Sequence, residues 1–501
     1  MCYNVLMTQR KRNRAKIILI RIGLFAAIFA VVFIGIQFIT KTGIFKVPGV
    51  ARYDDSLTRD ERVTLQAIFT EDVKLDQDVT ISATDYLELP QLSKGEYVYN
   101  ISVPVTDFYS TETNINATDP ATLFADKAQD PGYQMINLAD LDFTKKLLAI
   151  NHNYYLDTFD KGAVFRVIKF DSPKFTEEIE PLVATTFNKS WPEKTTTLTM
   201  LQTGVTALSR GMNQKLNEVG DPTFFSREIA DFLKNADITH TSNESSFSEN
   251  ATSENICSDP RFINTLLDIG LDVVELTGNH NVDCGATAAE NTIDIYTENN
   301  IKTVGGGKTA TEAAVPLDLT DKGTSVTMLA YNLSTGGATT GNTPGANQYE
   351  ESRVATDIAT AKEQGHIVIV DIQYYECSAY ASEYEDPTCD AADSAAGDQV
   401  GLFRHLIDLG ADIVVGTSAH QPQTFELYNN GVIYYGLGNL FFDQAWWPGT
   451  TRSLALKHYF YNGQHLQTTI TPTAYDENYQ TRIMDSPEWY LQRLISARPA
   501  Q

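Results

Sequence analysis

Cysteine is scarce in this chain, five in 501 residues, and no two stand in C-x-x-C spacing. That absence argues against thiolate zinc sites, which draw on closely spaced pairs. Positive charge is also short: 38 Lys and Arg face 64 Asp and Glu, a formal net charge of −26. Such a surface repels nucleic-acid phosphates, so no nucleic-acid partner is expected, and it keeps an exported domain soluble. Acidic residues are missing altogether before Asp54. What remains, 42% hydrophobic and 20% charged residues, is ordinary globular composition, and the length predicts two domains.

The acid-free N-terminus holds a basic cluster, Arg10, Lys11, Arg12, Arg14 and Lys16, followed by an uncharged apolar run from Ile22 to Thr40. Ile17 to Ile20 extend that run past Arg21, which can snorkel to the headgroups. A helix of this length can cross a hydrocarbon core of about 30 Å. The basic flank keeps the N-terminus inside and sends the chain after Lys41 out of the cell. No A-x-A-like site follows, so the segment reads as an uncleaved anchor. The expected organisation is a cytoplasmic tail (1–16), a single-pass anchor (17–40), a linker (41–55), a small α+β domain (56–190), an α/β domain (195–475) and a tail (476–501). The expected location is the cell membrane, with the bulk of the chain extracytoplasmic.

Export leaves Cys2 inside and Cys257, Cys284, Cys377 and Cys389 outside. Four cysteines in an oxidising compartment allow two disulfides in three connectivities. Cys377 and Cys389 bracket one polar loop and form the first-choice pair; Cys257 with Cys284 is the second.

In the first domain, Tyr97–Val105 and Val164–Phe170 read as strands, and the apolar spacing of Leu138–Ile150 predicts a helix. Beyond Lys194 strands and helices alternate. Strands are expected at Thr197–Gln202, Ile238–Thr241, Asp272–Leu276, Val326–Tyr331, Ile367–Ile372 and Asp412–Val415. Helices are expected at Phe224–Asn235, Phe262–Asp268, Gly285–Asn299, Glu351–Gln364 and Gln399–Leu409. This alternation implies α/β architecture, and Asn430-Gly431 and Asn462-Gly463 signal hairpins near the end.

Polar clusters follow the strand ends, where open α/β sheets place their sites. They are Ser242-Asn243-Glu244, Thr277-Gly278-Asn279-His280-Asn281-Val282-Asp283 and Gly416-Thr417-Ser418-Ala419-His420. The phrases LTGNHNVDCG (Leu276 to Gly285), LIDLGADIVVG, AHQPQ and FELYNNGVIYYGLGNLFFD, ending at Asp443, stand in one order. In that order the region from Thr197 to Thr473 resembles the CapA family of capsule and poly-γ-glutamate synthesis proteins, a branch of the calcineurin-like metallophosphoesterases. The resemblance implies a metallophosphoesterase-like α/β sandwich. It also implies catalytic roles for His280, Asn279 and Arg210, and metal ligation by Glu244, Asn279, His280 and His420. Asp283 also stands at a matching position.

Three positions depart from the family pattern. Val205 replaces an Asp ligand after Gly204, Gln373 replaces a His, and Ser418 replaces another. A two-metal centre needs several carboxylate and imidazole ligands. The surviving set is therefore expected to hold at most one manganese or zinc ion, weakly. The resemblance implies work on a surface polymer, an anionic polypeptide or polysaccharide, at the outer face of the membrane beside other membrane-bound synthesis proteins. Two rivals stay open: a metal-dependent hydrolase of phosphoester or amide bonds, and a polymer-binding module on a retired enzyme scaffold. In the latter, Tyr374, Tyr375, Trp446 and Trp447 either line the old cleft or belong to core and rim.

Overall fold

The computed structural model describes residues 51–68, 79–124, 132–171, 180, 183, 187, 190–334, 336–374 and 398–500. The anchor segment 17–40, Cys2, Tyr375, Cys377 and Cys389 lie outside them. No helix among the described residues is long and apolar enough to cross a membrane. The chain divides into two compact units, 1–102 with 117–125 and 163–190, and 103–116 with 126–162 and 191–501.

In the smaller unit the helix Arg59–Ile68 and its sheet share a core of Leu57, Leu65, Val79, Ile81, Ile168 and Phe170. Arg166 pairs there with Glu61 at 2.7 Å and Asp85 at 3.0 Å.

The larger unit is α/β, built on two main sheets. In the first, Lys302–Val304, Val273–Glu275, Ile238–Asn243 and Thr197–Ala207 are parallel neighbours, in that order. The hairpin strands Arg452–Tyr461 and Gln464–Tyr475 continue the sheet antiparallel. The second sheet runs Leu317–Asp321, Thr324–Asn332, Ile367–Gln373, Ile413–Gly416, Gly431–Tyr434 and Phe425–Tyr428, with parallel pairing through its centre.

Side chains alternate across a strand, and that period of two sorts these sequences into layers. Met200, Val273, Met328, Ile369, Ile413 and Val432 share one core between the sheets. Their sequence neighbours face outward onto helices. Leu201 and Val274 pack with Met212, Leu216, Leu266 and Tyr296, whereas Leu329, Val368 and Val414 pack with Val354, Ile358, Phe403 and Leu406. Strands covered on both faces read as near-continuous apolar runs, which is why IVIVDIQ is buried along its whole length.

Most expected elements of this unit are present, several shifted at their ends. The helix Gln399–Leu409 starts where Asp398 caps it, its Oδ1 accepting from the Gly401 N–H at 2.6 Å, and ends at Gly410. The Asn462-Gly463 turn has φ of 52° and 70° between paired Tyr461 and Gln464, a type I′ hairpin.

Two expectations fail for local reasons, and one hairpin is present with its turn shifted. Leu138–Ile150 is a 3-10 turn, Leu138–Asp140, followed by the strands Lys145–Leu147 and Ala149–Ile150. Asp142 takes the Thr144 N–H at 2.9 Å, a side-chain turn that competes with helix, and the Leu147 N–H donates to Gln467 at 3.0 Å. Within Phe224–Asn235 the only regular helix is Ala230–Leu233, preceded by a 3-10 turn at Pro222–Phe224. Asp221 caps Thr223, and Ser226 bonds Asp268 at 2.6 Å. The first hairpin turns one residue early: Tyr428 pairs with Gly431, so Asn429 (φ 49°) and Asn430 make the bend. Gly431 is needed in the strand instead, because a Cβ there would stand 2.8 Å from the Asp412 carbonyl oxygen.

Candidate functional site

Parallel strands deliver their C-terminal ends to one edge of each sheet. Glu244 follows Ile238–Asn243, Asn279 follows Val273–Glu275 by a short loop, Gln373 ends its strand, and His420 lies just past Ile413–Gly416. Two glycines let these loops close up. A Cβ at Gly278 would lie 2.7 Å from the Glu244 Cα, and one at Gly204 would lie 2.0 Å from the Gly438 carbonyl oxygen. Asn332 holds the Asn279 loop from outside by donating to the Thr277 carbonyl at 2.6 Å.

Glu244 is fully buried at the centre. Gln373 Nε2 donates to Glu244 Oε1 at 3.3 Å and to Asn279 Oδ1 at 3.1 Å. On the other side His420 Nε2 stands 4.0 Å from Glu244 Oε2, while its Nδ1 pairs with Asn439 Oδ1 at 2.9 Å. The structure thus gathers Glu244, Asn279, Gln373 and His420. His280 meets Asp283 through Nδ1 at 2.7 Å and is partly exposed. Arg210 joins by its stacking on Phe442, whose ring also packs near His420.

The three departures have distinct physical consequences. The strand that was expected at Thr197–Gln202 runs on to Ala207, and Val205 is fully buried with Ala207 and Phe442. Ser418 is buried without a charge to offer. Gln373 directs an N–H donor at the two oxygens a cation would want. Among the described residues no group of three or more His, Cys, Asp or Glu is placed to hold a metal ion. On its donors and their engagement, this set does not fit a two-ion centre.

Of the four aromatics considered, Tyr374 is core, buried against Phe403 at 5.9 Å. Trp446 is 53% exposed, and its ring lies 5.5 Å from that of the half-buried Trp447. The disulfide joins Cys257 to Cys284, so the second-choice pair is present and anchors the loop that carries Asn279 and His280.

One layer below the site lies a group that sequence reasoning missed. Inward positions of four strands carry Gln202, His240, Glu275 and Asp371, all buried. Gln202 donates to Asp371 at 2.5 Å, and His240 Nε2 stands 3.5 Å from the other Asp371 oxygen. Burial, then the charge of Glu275, pushes the Asp371 carboxyl well up. Burial also raises Glu275, against hydrogen bonds from the Thr277 N–H and hydroxyl, and drives His240 down to about 3. The available signal was an acid at an inward position of an otherwise apolar strand, as in DVVEL and IVIVDIQ.

Residues 199–444 match the model of a family described as bacterial capsule synthesis protein PGA_cap. Over that span, a little under half of the chain, the protein carries a CapA-family domain. Capsule biosynthesis protein CapA of Bacillus anthracis is 24% identical over 321 residues, covering 59% of this chain and 75% of that protein. PGA biosynthesis protein CapA of Bacillus subtilis (strain 168) is 30% identical over 200 residues, 39% of this chain and about half (49%) of that protein. The crystal structure of TT1561 of Thermus thermophilus aligns with a TM-score of 0.29 at 11% identity over 53% of this chain and 100% of that one, too slight a likeness to argue from.

Proposed function

We propose that this chain is a membrane-anchored, extracytoplasmic accessory protein of capsule or poly-γ-glutamate-type polymer synthesis or export. In this reading a metallophosphoesterase-like sandwich keeps its cleft but has given up its metal chemistry. The names of the two Bacillus relatives support the process. The basic flank and apolar run before Lys41 support the anchor and its orientation. The observation that carries the non-catalytic half is Gln373, whose carboxamide nitrogen is hydrogen-bonded to both Glu244 and Asn279. The partners are then the acidic polymer and the membrane-bound proteins that make it.

A second reading, a hydrolase of phosphoester or amide bonds, is favoured by the His280–Asp283 pair. A carboxylate that orients an imidazole is the usual arrangement of a general acid or base. Genetic complementation separates the two. In a host strain lacking this gene, the parent chain and a His280→Ala, Asn279→Ala double variant should restore cell-surface polymer equally. Failure of the double variant, if it accumulates normally in the membrane, would give the site back to catalysis.

A further inference from the structure

Arg210 precedes the helix Gly211–Val219 with φ 53° and ψ −120°, a conformation that is costly for any residue with a side chain. Its guanidinium lies 4.7 Å over the Phe442 ring and 5.3 Å over that of exposed Trp446. The Phe442 ring lies 5.2 Å from that of His420, so Arg210 and the His420 of the Glu244–His420 pair flank one phenyl group. The neighbouring carboxylate, Asp443, is taken: it accepts the Gly211 N–H at 2.8 Å and the Tyr479 hydroxyl. Among the described residues none accepts a hydrogen bond from the Arg210 guanidinium, and its Nε is buried. Burial accordingly lowers its pKa, only partly opposed by Asp443 and Glu244. Arg404 shows the contrast, holding Glu426 with two bonds of 2.9 and 2.7 Å.

A guanidinium stays charged and offers five donors in a planar fork suited to an oxyanion. Burying the Arg210 Nε without an acceptor is unfavourable, and strained backbone persists where the surroundings impose it. We infer that Arg210 is the anion-receiving residue of this cleft, binding a carboxylate of the acidic polymer while Trp446 packs against the chain beside it. This rests on the polymer reading above, and it names the chemical group recognised and the residue that recognises it.

The test is calorimetric titration of the full chain in detergent with a decamer of γ-linked glutamate, the matching γ-linked isoglutamine decamer whose α-carboxyls are amidated, and inorganic phosphate. The parent should bind the glutamate decamer and ignore the amidated one. Arg210→Gln should weaken binding about ten- to a hundredfold, since a charge-assisted fork is lost, with Arg210→Lys falling between. Trp446→Ala, at an exposed position, should weaken binding less and without loss of thermal stability, which guards against a folding artefact at Arg210. If Arg210→Gln folds and binds the glutamate decamer as tightly as the parent, the subsite is wrong and the polymer reading survives. If the parent ignores the decamer but binds phosphate through Arg210, the polymer reading falls and the anion site stands. If the parent binds none of the three, both fall.

Discussion

Gln373 Nε2 lies 3.1 Å from Asn279 Oδ1, so a neutral amide joins the two sheets where the family pattern carries an imidazole. A carboxamide N–H repels a cation, whereas an imidazole nitrogen would ligate one. Gln373→His should therefore raise affinity for manganese or zinc at least tenfold, given that outer ligand partners alone shift metal affinity ~10–100-fold. Adding Val205→Asp should lower thermal stability without metal, because an acid would enter the pocket of Ala207 and Phe442. Metal should restore that loss. Calorimetry and melting curves with and without manganese decide this, and a restored variant that still binds no metal would show these side chains do not converge on one ion.

The Cys257–Cys284 bond spans 27 residues. Closing a loop of that size stabilises by about 3.5 kcal/mol in the chain-entropy model. Replacing both cysteines with serine should cost a comparable amount in denaturant melts. The effect should be larger around Asn279 and His280 than in the second sheet, which hydrogen exchange would resolve. Uniform loss of protection across both sheets would mean that the bond supports the whole unit rather than this loop.

How much of this was legible depended on what each signal encodes. Strand and helix spans around IVIVDIQ and QVGLFRHLIDL were readable because burial on both faces leaves a long apolar record. The gathering of Glu244, Asn279 and His420 followed from one rule, that parallel strands end together. Leu138–Ile150 misled because its apolar spacing is helical, while Asp142 and Gln467 take its backbone groups. Gln467 is remote in sequence, so no local window could contain that contact. Asn430-Gly431 did mark a hairpin, but Gly431 itself opens the second strand, where it clears the Asp412 carbonyl rather than making the turn. The buried layer of His240, Glu275 and Asp371 became meaningful only once the strands' inward faces were fixed.

Topology is a separate matter, since residues 17–40 lie outside those described. A reporter fused after Lys46 should be active outside the membrane, and the chain should sediment with membranes at full size. The cause is the charge asymmetry of Arg10 to Lys16 against an uncharged Ile22–Thr40. Release of a shortened soluble form would identify a cleaved signal peptide instead.

The acid pair beneath the site makes the sharpest stability prediction. Asp371 sits beside His240 with no buried cation among its described partners, and its carboxyl is held well above the usual range by burial and by Glu275. An acid whose folded pKa is raised binds its proton more tightly in the native state. Its contribution to stability is therefore fully present below the unfolded pKa of 3.8 and is lost as pH rises toward the folded pKa. Asp371→Asn removes the titration, keeps an oxygen for Gln202, and leaves an N–H to face the neutral His240 ring. The variant should gain on the parent by about 1.4 kcal/mol per pH unit within that window and plateau above it. Urea melts of both proteins from about pH 5 to 8 give the difference directly. A variant less stable than the parent by a constant amount at every pH would show that Asp371 carries no proton in the folded chain. In that case Asp371 is an anion in the native core, balanced by a charge that Gln202, His240 and Glu275 do not supply.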